Sequence, residues 1–208
     1  MRTFVHRVFL FFIGLCVTGA SASAWAQTDV GLSLYGAFSG RTTGNGTVVS
    51  PANSAGGIIE LRHISNPLVG YEATYSYNRA NQTYSPSVAT GTCAVGVPCT
   101  SETVKANAHE ITADWLVSVH VANLRPFVLG GAGLLLNQPD SNQADTSTST
   151  KGVFVYGAGL DWGVFPHLGL RFQYRGNLYK APDLTKLYTS TDRFTHTAQP
   201  MIGAYFRF

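Results

Sequence analysis

The chain has 208 residues, of which 45% are hydrophobic and only 12% are charged. The charged fraction is about half the roughly 25% of ordinary soluble domains, and the aliphatic and aromatic content excludes an intrinsically disordered chain. After the first 26 residues, no uncharged apolar run approaches the ~20 residues that a membrane-spanning helix needs. The composition therefore resembles that of a membrane protein, in a chain without membrane helices.

The N-terminal segment has the three parts of a secretory signal. Residues 1–7 are basic, residues 8–17 form a short apolar core, and Ala24-Trp25-Ala26 is a small-x-small cleavage site. This order is typical of a cleaved signal peptide, and the core is too short for a spanning helix. We predict a signal peptide over residues 1–26 and a single mature domain over residues 27–208.

The mature chain carries almost no net charge. Residues 1–26 include two arginines and no acid, so their removal leaves 12 basic and 11 acidic residues. A net charge of about +1 gives no electrostatic reason to expect a nucleic-acid partner.

Two cysteines, Cys93 and Cys99, remain after signal removal. In an exported chain, cysteines this close together most often form a small loop disulfide, which we predict here. Their spacing does not suit zinc, and no histidine or acid lies between them. We expect neither a metal nor a cofactor.

Eight segments of the mature chain show period-two alternation of apolar and polar residues, which indicates β-strands. They cover residues 29–39, 55–64, 68–79, 105–119, 125–136, 152–164, 168–178 and 195–208. The fifth segment is apolar on both faces, so its register stays open. Pro200 lies inside the eighth segment, where it predicts a bulge or an unpaired position because proline lacks the N–H.

The connections between these segments are alternately long and short. The long ones are polar and cover residues 40–54, 80–104, 137–151 and 179–194. With strands of about ten residues, this pattern favours an all-β fold, an eight-stranded antiparallel up-and-down transmembrane β-barrel. The sheet must close, because a bilayer does not tolerate open sheet edges.

A soluble β-sandwich or lipocalin-like barrel would give the same alternation of apolar and polar residues. Two observations favour the membrane. Aromatic residues such as Tyr71, Trp162 and Phe165 cluster near strand ends, as an aromatic girdle requires. The polar faces are small and rich in glycine, whereas a surface facing water would carry more lysine and glutamate.

The last segment carries a distinctive pattern. Four apolar side chains share one of its faces: Ile202, Ala204, Phe206 and the terminal Phe208. This pattern looks like the C-terminal signal by which the outer-membrane assembly machinery recognises its substrates. Residues 66–72 and 165–174 are similar to parts of the transmembrane domain of outer membrane protein A. The mature chain thus resembles the small eight-stranded porin-like barrels of the outer membrane, which include the X-type adhesins and the opacity proteins.

The resemblance has consequences for location and partners. It implies a monomeric barrel in the outer membrane, in contact with lipid and lipopolysaccharide, with both termini in the periplasm and the long loops outside. It also implies an acid on the third strand paired with an arginine on the seventh. In this sequence those residues are Glu72 and Arg171.

Charged residues on the polar strand faces are predicted to point into the barrel. They are Glu60, Arg62, Glu72, Glu110, Asp114, Asp161, Arg171 and Arg175. An eight-stranded barrel is just wide enough for side chains to fill, and buried charges must pair or hold water. We therefore predict an interior salt-bridge network. A narrow ion path remains an alternative, as does a metal site of Glu110, Asp114 and Asp161.

The sequence offers little support for catalysis. His196 stands between two threonines, but no serine nucleophile with a suitably spaced acid accompanies it. Phosphate-binding loops, the dinucleotide fingerprint and helical zinc motifs are absent from the sequence. We expect a protein that is not an enzyme.

The long loops are the best candidates for function, because binding residues often lie on loops held by a rigid scaffold. Tyr84, Leu187 and Tyr188 are apolar residues in polar loops, and we predict that they are exposed to an extracellular ligand. The predicted role is structural or adhesin-like surface interaction. The alternatives are a narrow pore for ions or small solutes and a lipid-modifying outer-membrane enzyme.

Overall fold

The computed structural model describes residues 27–87 and 100–208, so the predicted signal peptide and both Cys93 and Cys99 lie outside the described residues. Twelve strands are present: β1 (Gln27–Ser39), β2 (Thr42–Gly44), β3 (Thr47–Pro51), β4 (Ser54–Ile64), β5 (Val69–Arg79), β6 (Gln82–Pro86), β7 (Glu102–Val104), β8 (Ala106–Ser118), β9 (Leu124–Pro139), β10 (Ser149–Gly163), β11 (Leu168–Lys180) and β12 (Phe194–Arg207). None of the described residues form a helix long and apolar enough to cross a membrane.

Eight of these strands close into an antiparallel barrel. The order is β1-β4-β5-β8-β9-β10-β11-β12, and β12 returns to β1. The closing pair runs from Asp29 opposite Arg207 to Ser39 opposite Thr197. The predicted all-β, up-and-down, eight-stranded barrel is confirmed. We call the end with Gln27, Phe208 and the short connections the turn end, and the opposite end the loop end.

Strand alternation gives the barrel an apolar exterior and a polar interior. On β4, Glu60 and Arg62 are fully buried, while Ile59, the residue before Glu60, is 49% exposed. Trp115 on β8 and Ile202 on β12 likewise point outward, at 67% and 55% exposure. A soluble barrel has the reverse arrangement, whereas a barrel in lipid requires this one.

The register of β9, which the sequence left open, follows from its neighbours. Arg125, Phe127 and Leu129 are buried in the lumen, and Val128 between them is exposed. Both faces of this strand are apolar because the aromatic ring of Phe127 fills the lumen, where it packs against a guanidinium.

Pro200 interrupts the ladder between β12 and β1. Met201 pairs with Tyr35 and Ala198 with Phe38, but the two positions between them have no partner on β1. The register is the same on both sides of this gap, so no residue is inserted. The predicted unpaired position is therefore present without a bulge, as expected for a residue without an N–H.

The loop end carries a second, smaller sheet that the sequence did not predict. Its four strands have the order β2-β3-β6-β7 and come from the first and second long connections. The fourth long connection, residues 181–193, folds over this sheet, and the two share a core. Its members are Val49, Tyr84, Val104, Ala106, Leu184 and Tyr188. We call the sheet and residues 181–193 together the loop cap.

The loop cap overturns one sequence-based prediction. Tyr84 and Tyr188 are only 2% and 5% exposed, so the prediction that they face an extracellular ligand is wrong. Their rings lie 6.1 Å apart in a stacked arrangement inside the core of the cap. Of the three residues, Leu187 alone is exposed, at 45%.

Candidate functional site

The lumen is occupied by a network of arginines and carboxylates, with Arg171 of β11 at its centre. Its Nε lies 2.7 Å from Asp161 Oδ1. Its Nη2 and Nη1 lie 3.1 Å from Asp29 Oδ1 and from Glu60 Oε2, respectively. Ser33 Oγ also donates to Glu60 Oε2, at 3.0 Å. A single guanidinium thus joins acids from β1, β4 and β10 across the barrel.

Two further arginines extend the network. Arg62 donates from Nε to Glu72 Oε2 at 2.7 Å and from Nη1 to Asp161 Oδ2 at 2.8 Å. Its guanidinium also lies 4.2 Å from the centre of the Phe127 ring, a cation–π distance. Arg175 donates to Asp114 Oδ2 at 3.1 Å and to Glu72 Oε1 at 3.3 Å. These ion pairs fill the lumen with side chains that come from several strands.

The structure places all eight predicted interior residues in the lumen, at 3% exposure or less. Seven of them form the network. The pair that the resemblance implied, Arg171 Nη1 with Glu72 Oε2, is 3.8 Å long, and Arg62 is the nearer partner of Glu72. Glu110 stands apart: it accepts a hydrogen bond of 2.7 Å from Asn177 Nδ2, and no arginine of residues 27–87 and 100–208 lies within salt-bridge distance of it.

Sequence reasoning missed two residues of the lumen. Asp29 is fully buried and pairs with Arg171. Because it is adjacent to the outward-facing Val30, alternation along β1 could have assigned Asp29 to the lumen. Arg125, 7% exposed, lies at the turn end, where it donates to Gln27 Oε1 at 2.8 Å. It lines a cavity of about 360 Å³ together with His120 and Arg207.

The metal alternative named three acids, Glu110, Asp114 and Asp161, and the structure gives two of them arginine partners. Asp114 is bonded to Arg175, and Asp161 is bonded to both Arg62 and Arg171, so neither has its charge free for a cation. Among residues 27–87 and 100–208, no group of three His, Cys, Asp or Glu side chains is arranged to hold a metal ion.

Hydrogen bonds hold the loop cap together around Tyr84. Its hydroxyl donates to Pro182 O at 2.9 Å and accepts from Leu184 N at 3.1 Å. Tyr188 donates from its hydroxyl to Thr100 O, and Thr185 Oγ1 donates to Glu102 Oε2 at 2.9 Å. Burial raises the pKa of the Tyr84 phenol well above its ordinary value, so this group remains a donor at any physiological pH.

His196 lies on the opposite face of the sheet from the hydroxyls of its sequence neighbours. Its Nε2 lies 2.9 Å from the hydroxyl of Tyr156, on the outer surface of the barrel. Thr195 and Thr197, its sequence neighbours, are 4% exposed and face inward, because adjacent residues of a strand point to opposite sides. The hydroxyls that flank His196 in sequence are therefore on the other face of the sheet.

The four residues of the predicted assembly signal all face outward on β12. Ile202, Phe206 and Phe208 are 55%, 47% and 72% exposed, and Ala204 lies in the same exposed row. They add to an apolar belt around the barrel.

Comparison with known proteins agrees with this geometry. The family model described as the outer membrane protein beta-barrel domain matches residues 8–206. The chain belongs to this outer-membrane β-barrel family. It is therefore a transmembrane protein of the outer membrane, as the sequence predicted. In such barrels the short turns are generally periplasmic and the long loops extracellular.

Several solved structures share the fold of this outer-membrane barrel. The attachment invasion locus protein Ail of Yersinia pestis, in complex with the heparin analogue sucrose octasulfate, is 15% identical, with a TM-score of 0.52 over 88% of this chain and 99% of Ail. Neisserial surface protein A is 14% identical, with a TM-score of 0.53 over 88% and 97%. OprG of Pseudomonas aeruginosa is 9% identical, with a TM-score of 0.62 over 88% and 96%. No curated protein sequence matches the chain.

Proposed function

We propose that this barrel is a surface-interaction protein, with an adhesin-like role, and that the loop cap is its binding surface. The observation that carries the proposal is that the cap folds around a core that is separate from the other clusters of the barrel and to which the barrel contributes Ala106 of β8. A pre-ordered surface loses less conformational entropy on binding than mobile loops do. Side chains on the outside of the cap, such as Leu187, are then held in fixed positions for a partner.

The first probe follows from the Ail structure, which contains a heparin analogue. The test measures binding of the purified full-length barrel, in lipid nanodiscs, to immobilised heparin and to a panel of extracellular-matrix proteins and glycans. We expect saturable binding to at least one surface. We also expect that a Tyr84→Ala variant, which disrupts the cap but not the barrel, loses at least about tenfold in affinity, or about 1.4 kcal/mol. Equal binding by the wild type and the Tyr84→Ala variant would show that the cap is not the binding surface.

The narrow-pore alternative is less well supported. The arginines and carboxylates meet across the lumen, and Arg62, Arg171 and Arg175 are each 1% exposed or less. A path for ions would have to break several charge-assisted hydrogen bonds at once. We expect the purified protein in planar lipid bilayers to give no stable single-channel steps at neutral pH. Uniform, reproducible conductance steps from a homogeneous preparation would restore the pore interpretation.

We further infer that the protein has no catalytic role. The support is geometric: His196 lies on the outer face of the barrel with Tyr156, whereas the hydroxyls of its sequence neighbours Thr195 and Thr197 face the lumen. A nucleophile and its base must instead lie within hydrogen-bond reach of each other. Insertion through the assembly machinery and a monomeric state are part of the same proposal, in line with the exposed C-terminal row.

A further inference from the structure

The barrel lumen contains more acids than bases. Among the residues that the structure describes, nine charged side chains are buried there at 3% exposure or less: Asp29, Glu60, Glu72, Glu110, Asp114, Asp161, Arg62, Arg171 and Arg175. Six are carboxylates and three are guanidiniums, so an excess of three negative charges results. Arg125 at the periplasmic mouth reduces this excess to two at most. Uncompensated charge is costly in a buried site, so a further positive charge in the lumen would be stabilising.

One carboxylate of this excess has no arginine beside it among the described residues. Five of the six carboxylates have an arginine within 4.0 Å. Glu110 is the sixth, and its one described partner is the neutral amide of Asn177. Its Oε2 accepts that bond, while Oε1 is buried without a partner among the described residues. Arg175 Nη1 is already bonded to Asp114 and Glu72. Arg79, which lines the same cavity as Glu110, pairs with Asp140.

Glu110 lines a small cavity under the loop cap, and other unpartnered oxygens line it too. Asn177 Oδ1 and Gln82 Oε1 are both buried without a hydrogen-bond partner in the described part of the chain. Their residues are 1% and 3% exposed, respectively. The cavity holds about 30 Å³, room for about two water-sized groups, so it excludes an organic solute. Tyr179 and Thr197 add hydroxyl oxygens to its wall.

We propose that this cavity binds a single Ca²⁺ ion, with Glu110 as the charged ligand and Gln82 and Asn177 as neutral oxygen ligands. Ca²⁺ accepts six to eight oxygens in flexible geometry, including amide oxygens and water, and it tolerates an irregular site. Mg²⁺ demands a near-ideal octahedron and loses water reluctantly, and zinc prefers nitrogen or sulfur ligands. One carboxylate with neutral oxygens gives a weak site, of the class found in extracellular modules.

This site differs from the metal alternative considered from the sequence. Glu110 is the one acid that the two sites share. The other ligands proposed here are neutral amides, which a search of the sequence for charged residues does not find. Gln82 comes from β6 in the loop cap, whereas Glu110 and Asn177 come from the barrel strands β8 and β11. A bound ion would therefore join the cap to the barrel. The inference does not depend on the proposed binding function of the cap.

The test is equilibrium dialysis of the folded full-length protein in detergent, depleted of calcium and then titrated with CaCl₂. We expect about one Ca²⁺ per chain with a Kd of about 10⁻⁴–10⁻³ M. Near saturation the midpoint of thermal unfolding should rise by a few degrees. Glu110→Gln, which is nearly isosteric, should weaken the affinity about tenfold or more, and MgCl₂ should not compete.

Two further variants make the result specific. Asp192→Asn removes the same charge from the exposed surface of the cap, where it pairs with Lys180, and should bind calcium as the wild type does. Gln82→Ala removes a ligand from the cap without changing a barrel strand, and should weaken binding even if Glu110→Gln fails to fold. Absence of calcium binding by the wild type, or equal binding by Glu110→Gln, would overturn the proposal. Either result would mean that Glu110 is protonated or hydrated instead.

Discussion

The Arg171→Met variant is expected to lose about 3–5 kcal/mol of unfolding free energy, because removal of one partner of a buried ion pair leaves uncompensated charge. Within the described part of the chain, Arg171 is the only arginine bonded to Asp29 and to Glu60, and both carboxylates are fully buried. Methionine fills much of the same volume, so the loss reports on charge and hydrogen bonding more than on packing. Urea unfolding of the protein in lipid vesicles, followed by tryptophan fluorescence, measures this loss.

Arg79→Met is the matched control for this experiment. Arg79 pairs with Asp140 at 3.2 Å, but its side chain is 51% exposed. Exposed pairs contribute about 0–1 kcal/mol, so this variant should unfold almost as the wild type does. If the two variants lost equal stability, the luminal network would not be a stabilising element of the barrel. A second arm, Asp29→Asn with Arg171→Met, should recover part of the loss because one of the two orphaned charges is removed.

The sequence predicted the barrel and its inward-facing charges for a simple physical reason. Alternation along a strand fixes the face on which each side chain lies, so Glu60 and Arg62 could be assigned to the lumen without knowledge of the fold. Alternation does not show which charged residues pair with each other inside the lumen. Arg62 of β4 and Asp161 of β10 belong to strands that are not neighbours in the sheet, and they meet across the barrel. Such contacts depend on barrel width and stagger, which residue patterns do not encode.

The loop cap could not be predicted from the sequence because its strands are short and their residues are mostly polar. β2 and β7 have three residues each, too few for alternation to be visible. Tyr84 was assigned to the surface since its neighbours are Thr and Ser. Its burial comes from residues 181–193, about 100 positions later in the chain, which fold over it. Glu110 was assigned correctly to the lumen, but its isolation from the arginines became visible only with the contacts in place.

Tyr84→Ala is expected to unfold the loop cap while the barrel stays intact. Truncation of a large buried aromatic side chain costs about 3–5 kcal/mol in a packed core, and the core of the cap has only six members. The barrel has its own clusters and its own ladder of hydrogen bonds, so the loss should remain local. Hydrogen exchange should show loss of protection in β3, β6 and residues 181–193, with protection retained in β8–β12. Added protease should cleave the variant, displayed on intact cells, within the cap.

Two comparisons separate packing from hydrogen bonding in this result. Tyr84→Phe keeps the ring against Tyr188 but removes the hydroxyl that bonds Pro182 O and Leu184 N, and we expect an intermediate loss of about 1–3 kcal/mol. Leu187→Ala changes an exposed residue of the same segment and should leave exchange unchanged. If Tyr84→Ala kept full protection in β6, residues 181–193 would not depend on this core. The loops would then act as independent segments, and the binding surface would have to be sought on one of them alone.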